Sequence, residues 1–139
     1  VKDLIDDGQL LGDEELFRVL NSELPEVIKH KRLLFDGVPR TVPQGVHLIH
    51  YLQQSGYTEF AAIHIDVPHE ESVKRLLERA HHEFRTDDTP EKISFRLDTY
   101  EKETKPVLKF LAGMGELFTI DGVGSIEEIT QRIDTALGI

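Results

Sequence analysis

The sequence predicts an α/β domain with a mainly parallel sheet, on three observations. Short apolar runs of strand length recur at 32–36 (RLLFD), 60–66 (FAAIHID) and 116–122 (ELFTIDG). Stretches with helical periodicity lie between them. No internal repeat, low-complexity tract or linker divides the 139 residues. Strands that alternate with helices pair in parallel through right-handed crossovers.

The elements follow in order. Residues 1–8 (VKDLIDDG) read as the last turns of a helix stopped by Gly8, where a left-handed cap is cheap. Asp13 opens DEELFRVLNSEL, with Leu16, Leu20 and Leu24 on one face. After the run at 32–36, Thr41 starts a helix with Pro43 in its first turn and Gly56 as its stop. The run at 60–66 precedes a helix over 70–80, whose Val73, Leu76, Leu77 and Ala80 share a face. HHEFRTDDT (81–89) breaks that pattern and reads as a polar loop. Pro90 opens a helix with Ile93, Leu97, Tyr100 and Thr104 along one side, and Pro106 kinks or restarts it. After 116–122, Ser125 and Glu128 are spaced as a capping box for the last helix.

Composition narrows the function classes. With 16 basic and 26 acidic residues the net charge is −10, which argues against broad nucleic-acid binding but leaves room for a local cationic cluster. No apolar run approaches the ~18 residues of a membrane span, and the N-terminal residues do not read as a leader. The absence of cysteine removes disulfides and thiolate metal sites and fits a reducing, cytoplasmic setting. The chain starts at Val1 inside a helical pattern, as if cut from something longer.

Five arginines sit at element ends or breaks: Arg40, Arg75, Arg79, Arg85 and Arg96. Arg75 and Arg79 share a helix face. Guanidinium suits phosphate because it is planar, permanently charged and forms paired hydrogen bonds. Ligands of open α/β sheets bind at strand carboxyl ends. The same residues also fit surface ion pairs, Arg79 with Glu83 and Arg96 with Glu91 or Asp98. Asp36 fits a turn cap or a position beside hydrated magnesium. His47 and His50 are three apart, His81 and His82 adjacent, and none matches a metal signature.

Taken together, LIDDGQLLGDEEL, LLFDGVPRTVPQ, IHIDVPHEESVKRLLERA, RTDDTPEKISFRLDTYEKETKPVL and FTIDGVGSIEEI resemble, in order, the adenylate kinases. The resemblance covers essentially the whole chain. It implies a P-loop-kinase-like parallel sheet with flanking helices, and phosphoryl transfer between MgATP and AMP giving two ADP. Arg40 corresponds to the grip on the AMP phosphate and Gln44 to the reader of its adenine, beside the turn at Gly37. Backbone at Gln9, Leu10 and Leu11 corresponds to the wall beside that base, within a remnant (1–11) of the monophosphate-binding region. Asp36 corresponds to the aspartate that orders magnesium-bound water. Arg75 corresponds to the arginine on the ATP adenine, and backbone at Gly124 to another contact with that base. Arg79, Arg85 and Arg96 correspond to the clamp on the transferring phosphates, oriented by Asp87 and Asp88. A short lid spans 80–88.

Two departures accompany the resemblance. Val38 stands where the family usually has Phe. No G-x-x-x-x-G-K-[ST] stretch occurs, so the phosphate loop, the first strand and the first helix of the family are absent from these residues. The resemblance places that strand between 32–36 and 60–66. The expectations are an incomplete single-domain kinase core, inactive alone, whose strands at 32–36 and 60–66 pair directly or are bridged by an N-terminal segment or second chain. A degenerate nucleotide-binding or regulatory module, half of a split kinase, and a kinase for UMP or CMP are the alternatives.

Overall fold

In a computed structural model, residues 12–83 and 89–139 are described. Helix α1 (Asp13–Val27) and α2 (Val42–Gln54) precede strand β1 (Ala61–Asp66). Then come α3 (His69–Glu83), α4 (Pro90–Thr99), a π-helical turn (Tyr100–Thr104), α5 (Lys105–Met114), strand β2 (Glu116–Asp121) and α6 (Ile126–Leu137). The expected helix ending at Gly8 lies outside the described residues.

Strands β1 and β2 pair in parallel, from Ala61 opposite Glu116 to Asp66 opposite Asp121. The Gly122 amide donates to the Asp66 carbonyl at 2.8 Å and prolongs the ladder. A Cβ on Gly122 would lie 2.5 Å from Val67 Cγ2, so the bare backbone permits this approach. Parallel neighbours need a crossover, and α3, α4 and α5 supply it. Helix α5 packs on both strands and α6 on β2.

The strand expected at 32–36 does not form. These residues are not assigned to a strand, and Leu34 is 90% exposed. The sheet of the described residues has two strands, β1 and β2. Direct pairing of 32–36 with 60–66 is therefore overturned. An apolar run acquires strand structure only where a ladder satisfies its N–H and C=O groups.

Leu16, Leu20 and Leu24 of α1 pack on Leu48 of α2, with Phe35 and Val38 against the cluster. The four-residue leucine spacing thus faces the core as expected, and Leu24 is 1% exposed. The helix runs past the expected end at Leu24 to Val27, with Pro25 inside it. Ile93, Val107 and Ile120 are also buried.

Helix α3 also outruns its expected end, taking His81, His82 and Glu83 from the anticipated loop. Imidazoles in a last turn face the negative end of the helix dipole. Their rings meet edge to face, centroids 5.9 Å apart. Pro106 marks a restart: the π turn ends two residues before it, and Pro106 lies in the first turn of α5. Proline lacks the N–H of a regular helical bond and crowds the preceding turn, so one wide turn absorbs the mismatch.

Candidate functional site

The turn at 35–40 is built by backbone chemistry. Gly37 takes φ 73°, and the Val38–Pro39 bond is cis. A Cβ on Gly37 would sit 3.1 Å from an Arg40 guanidinium nitrogen. Glycine thus admits both the left-handed backbone and the folded-back arginine. Arg40 Nε donates to the Gly37 carbonyl at 2.8 Å, leaving the exposed guanidinium above the turn. Asp36 is exposed beside it.

Thr41 caps α2: its hydroxyl oxygen accepts the Gln44 N–H at 3.3 Å, as the sequence predicted for a helix starting there. The same hydroxyl donates to Asp13 Oδ1 at 2.8 Å. The Gln44 side chain, 2% exposed, donates from Nε2 to Asp13 Oδ1 at 3.0 Å. Its Oε1 accepts the Arg40 backbone N–H at 2.8 Å. Gly37, Arg40, Thr41, Gln44 and Asp13 therefore form one connected unit at the amino end of α2, an electrostatically positive position.

A second group lies on the crossover helices. Arg75 Nε donates to Glu71 Oε1 at 2.7 Å, one turn back on α3. That hydrogen bond holds the Glu71 carboxyl below its ordinary value, against the opposing effect of its partial burial. Arg79 follows one turn on, and Arg96 lies in the last turn of α4, which packs against α3. The Arg75 and Arg79 helix and the Arg96 helix are thus neighbours. Just past Arg96, Tyr100 OH meets His64 Nε2 at 2.9 Å, tying the π turn to β1. Burial, then the nearby Asp66 and Glu101 carboxylates, push the Tyr100 phenol above its ordinary value, while Lys105 pulls it down.

Gly124 stands apart in the β2–α6 loop, with φ 137°. Arg132 of α6 reaches back and donates to the carbonyls of Asp121 at 2.7 Å and Val123 at 2.6 Å. The expected capping box closes the loop: Ser125 N–H donates to Glu128 Oε2 at 2.7 Å and Glu128 N–H to Ser125 Oγ at 3.2 Å. Gln9, Leu10, Leu11, Arg85, Asp87 and Asp88 lie outside the described residues, as does most of the expected lid.

Asp13, His64, Tyr100 and Arg132 were not singled out as site residues from sequence. Asp13 stood out only as a helix start, because its partners are 28 and 31 positions away. Arg132 carried no signal, since a helical arginine usually marks a solvated face.

Comparison with known proteins places the chain in a family. The adenylate kinase family profile matches residues 1–116. The chain is similar to the adenylate kinase of Thermus thermophilus, 35% identical over 139 residues, all of this chain and 72% of that protein. It is 40% identical over 136 residues to the adenylate kinase of Parabacteroides distasonis, covering 98% of this chain and 72% of that one. With the Stenotrophomonas maltophilia adenylate kinase it shares 38% over 136 residues, 98% of this chain and 73% of the relative. The chain is thus a phosphotransferase of the nucleoside monophosphate kinase class. It belongs to the adenylate kinase family.

Proposed function

We propose that this chain carries the monophosphate site and phosphate-clamping arginines of an enzyme that converts MgATP and AMP to two ADP. The supporting observation is the unit at the start of α2: an exposed Arg40 guanidinium braced on Gly37, four residues before a buried, oriented Gln44 amide. Arg40 takes the AMP phosphate. Gln44 reads its base with the donor and acceptor capacity of an amide, and Gln9, Leu10 and Leu11 wall the base. Arg75 and the Gly124 backbone hold the ATP base. Arg79, Arg85 and Arg96 neutralise the transferring group, with Asp87 and Asp88 orienting them. A phosphate oxygen of AMP attacks the γ-phosphorus of ATP, the bond from that phosphorus to the β,γ-bridging oxygen breaks, and two ADP result. Such transfer depends on positioning and charge stabilisation, and the short lid at 80–88 excludes water.

Among the described residues no group of three His, Cys, Asp or Glu is gathered to hold a metal. The single exposed carboxylate of Asp36 fits magnesium that keeps its waters and is otherwise bound by phosphates. Asp36 would hold one of those waters, and the ion would neutralise charge on the phosphates.

The 139 residues contain no phosphate-cradling loop sequence, so we propose that they do not turn over alone. A coupled ADP-formation assay on the 139-residue protein tests this. The expected rate lies far below the roughly 1–100 s⁻¹ of ordinary kinases, and turnover in that range overturns the proposal. Binding of AMP, weakened about tenfold or more by Arg40→Ala as expected for a charge-assisted contact, tests the site itself. A second reading, a nucleotide-binding module or half of a split kinase, is favoured by the exposed Leu34 and by Ile63 and Ile65, 39% and 45% exposed on β1. Unchanged AMP affinity in the Arg40 variant overturns both readings.

A further inference from the structure

We propose that Asp13 is a positioning residue that sets base selectivity at the monophosphate site, by locking the Gln44 amide in one orientation so that it accepts a 6-aminopurine and rejects a 6-oxopurine. The inference rests on the reading of Gln44 as the base-facing residue.

An amide carries a donor end and an acceptor end, and each can serve twice. An unrestrained glutamine turns over easily and exchanges the two. It therefore suits a 6-aminopurine, which offers an amino donor beside the N1 acceptor. It suits equally a 6-oxopurine, which offers a carbonyl acceptor beside an N1–H donor. The neighbours of Gln44 remove that freedom. Asp13 Oδ1, an acceptor, lies 3.0 Å from Nε2. The Arg40 backbone N–H, a donor, lies 2.8 Å from Oε1. Reversal would set a carboxylate against a carbonyl oxygen and an N–H against an NH2 group. It would do so in a site where the side chain is 2% exposed and water cannot compensate.

The lock consumes one Nε2 hydrogen and one Oε1 lone pair, leaving one donor and one acceptor at fixed ends. A phosphate held by Arg40 decides which way round the base arrives, so a 6-oxopurine cannot restore the match by shifting. Asp13 is held in turn by the Thr41 hydroxyl, which donates to the same oxygen at 2.8 Å and caps the helix that carries Gln44. Selectivity is thus assigned to the pair Asp13 and Gln44, although only Gln44 need approach the base.

The test is calorimetric titration of the 139-residue protein with AMP and with inosine monophosphate, its 6-oxo analogue. Asp13→Asn keeps the shape but can present either an amine or an oxygen, so it no longer specifies the amide. The expected result is that the affinity ratio of AMP over inosine monophosphate falls by about tenfold, the scale of a discriminating polar contact. Gln44→Ala is the reference for the base reading: it should weaken AMP and erase the ratio. If Gln44→Ala changes neither quantity, the reading of Gln44 fails and takes this proposal with it. If Gln44→Ala erases the ratio while Asp13→Asn preserves it, the lock alone is overturned. Should Asp13→Asn fail to fold, hydrogen exchange on the unsubstituted protein decides. The Gln44 side-chain amide protons should exchange about tenfold more slowly, or slower still, than those of the exposed Gln53 and Gln54. Equal exchange overturns the lock.

Discussion

Gly45 lies in the first turn of α2, where that helix crosses α5. A Cβ there would fall 2.8 Å from Phe110 Cε1, 3.1 Å from Cδ1 and 3.6 Å from Pro39 Cγ. Carbon atoms at rest lie about 3.5–4.0 Å apart, so the ring or the helix must yield by roughly 0.7 Å or more. Alanine in a helix interior is favoured over glycine by up to about 1 kcal/mol. Overpacking a formed contact costs about 1–3 kcal/mol. The second effect wins, and Gly45→Ala should lose about 1 kcal/mol, or roughly 3–4 °C in Tm for a domain of this size. In a Phe110→Ala background the obstruction is gone and only the helix preference remains. The same substitution should then stabilise by about 0.5–1 kcal/mol. Urea unfolding of the four members of this cycle measures the reversal. If Gly45→Ala stabilises the unsubstituted protein, or has one sign in both backgrounds, the close approach of α2 to Phe110 is refuted.

Three other outcomes follow from single contacts. Leu24→Ala, at 1% exposure among Leu16, Leu20 and Leu48, should cost about 2.7–5 kcal/mol by urea unfolding, with α1 and α2 loosened together. Because Arg75 holds the Glu71 carboxyl below its ordinary value, that pair contributes stability at neutral pH that is lost as pH falls through the depressed value. Arg75→Ala should raise the Glu71 titration by carbon-detected nuclear magnetic resonance, and an unmoved curve would falsify the pairing. The raised Tyr100 phenol works in the opposite direction: its contribution is present below the ordinary tyrosine value and is lost as pH rises through the raised one. Tyr100→Phe should therefore flatten the alkaline fall in Tm while weakening the protein at neutral pH through the missing bond to His64; an identical alkaline slope counts against the assignment.

Local chemistry made much of the framework legible. Thr41 and Ser125 were read as helix starts because their hydroxyls serve an amide three residues on, a relation contained within one turn. The leucine spacing of α1 revealed its buried face for the same reason. The expected span stopped short at Leu24, whereas the helix carries Pro25 inside it and runs on to Val27. The end of α3 was missed too, since polar histidines resemble a loop but sit comfortably in a last helical turn. Arg40 stood out among the arginines at element ends and Gln44 by resemblance, and Asp13 was overlooked as the partner of Gln44.

The unformed strand at 32–36 and the overlooked Asp13 share a cause. Helical bonds join residues four apart, so a linear pattern contains their terms. A strand is completed by a distant partner: 61–66 became one through 116–121, while the equally apolar 32–36 did not. The lock on Gln44 is non-local in the same way, since Asp13 stands 31 positions from it. Sequence therefore carried the helices, their caps and the family. Packing of α1 on α2 brought an acceptor-only carboxylate to one end of an amide whose other end meets a backbone N–H, and that meeting of donors and acceptors orients the site.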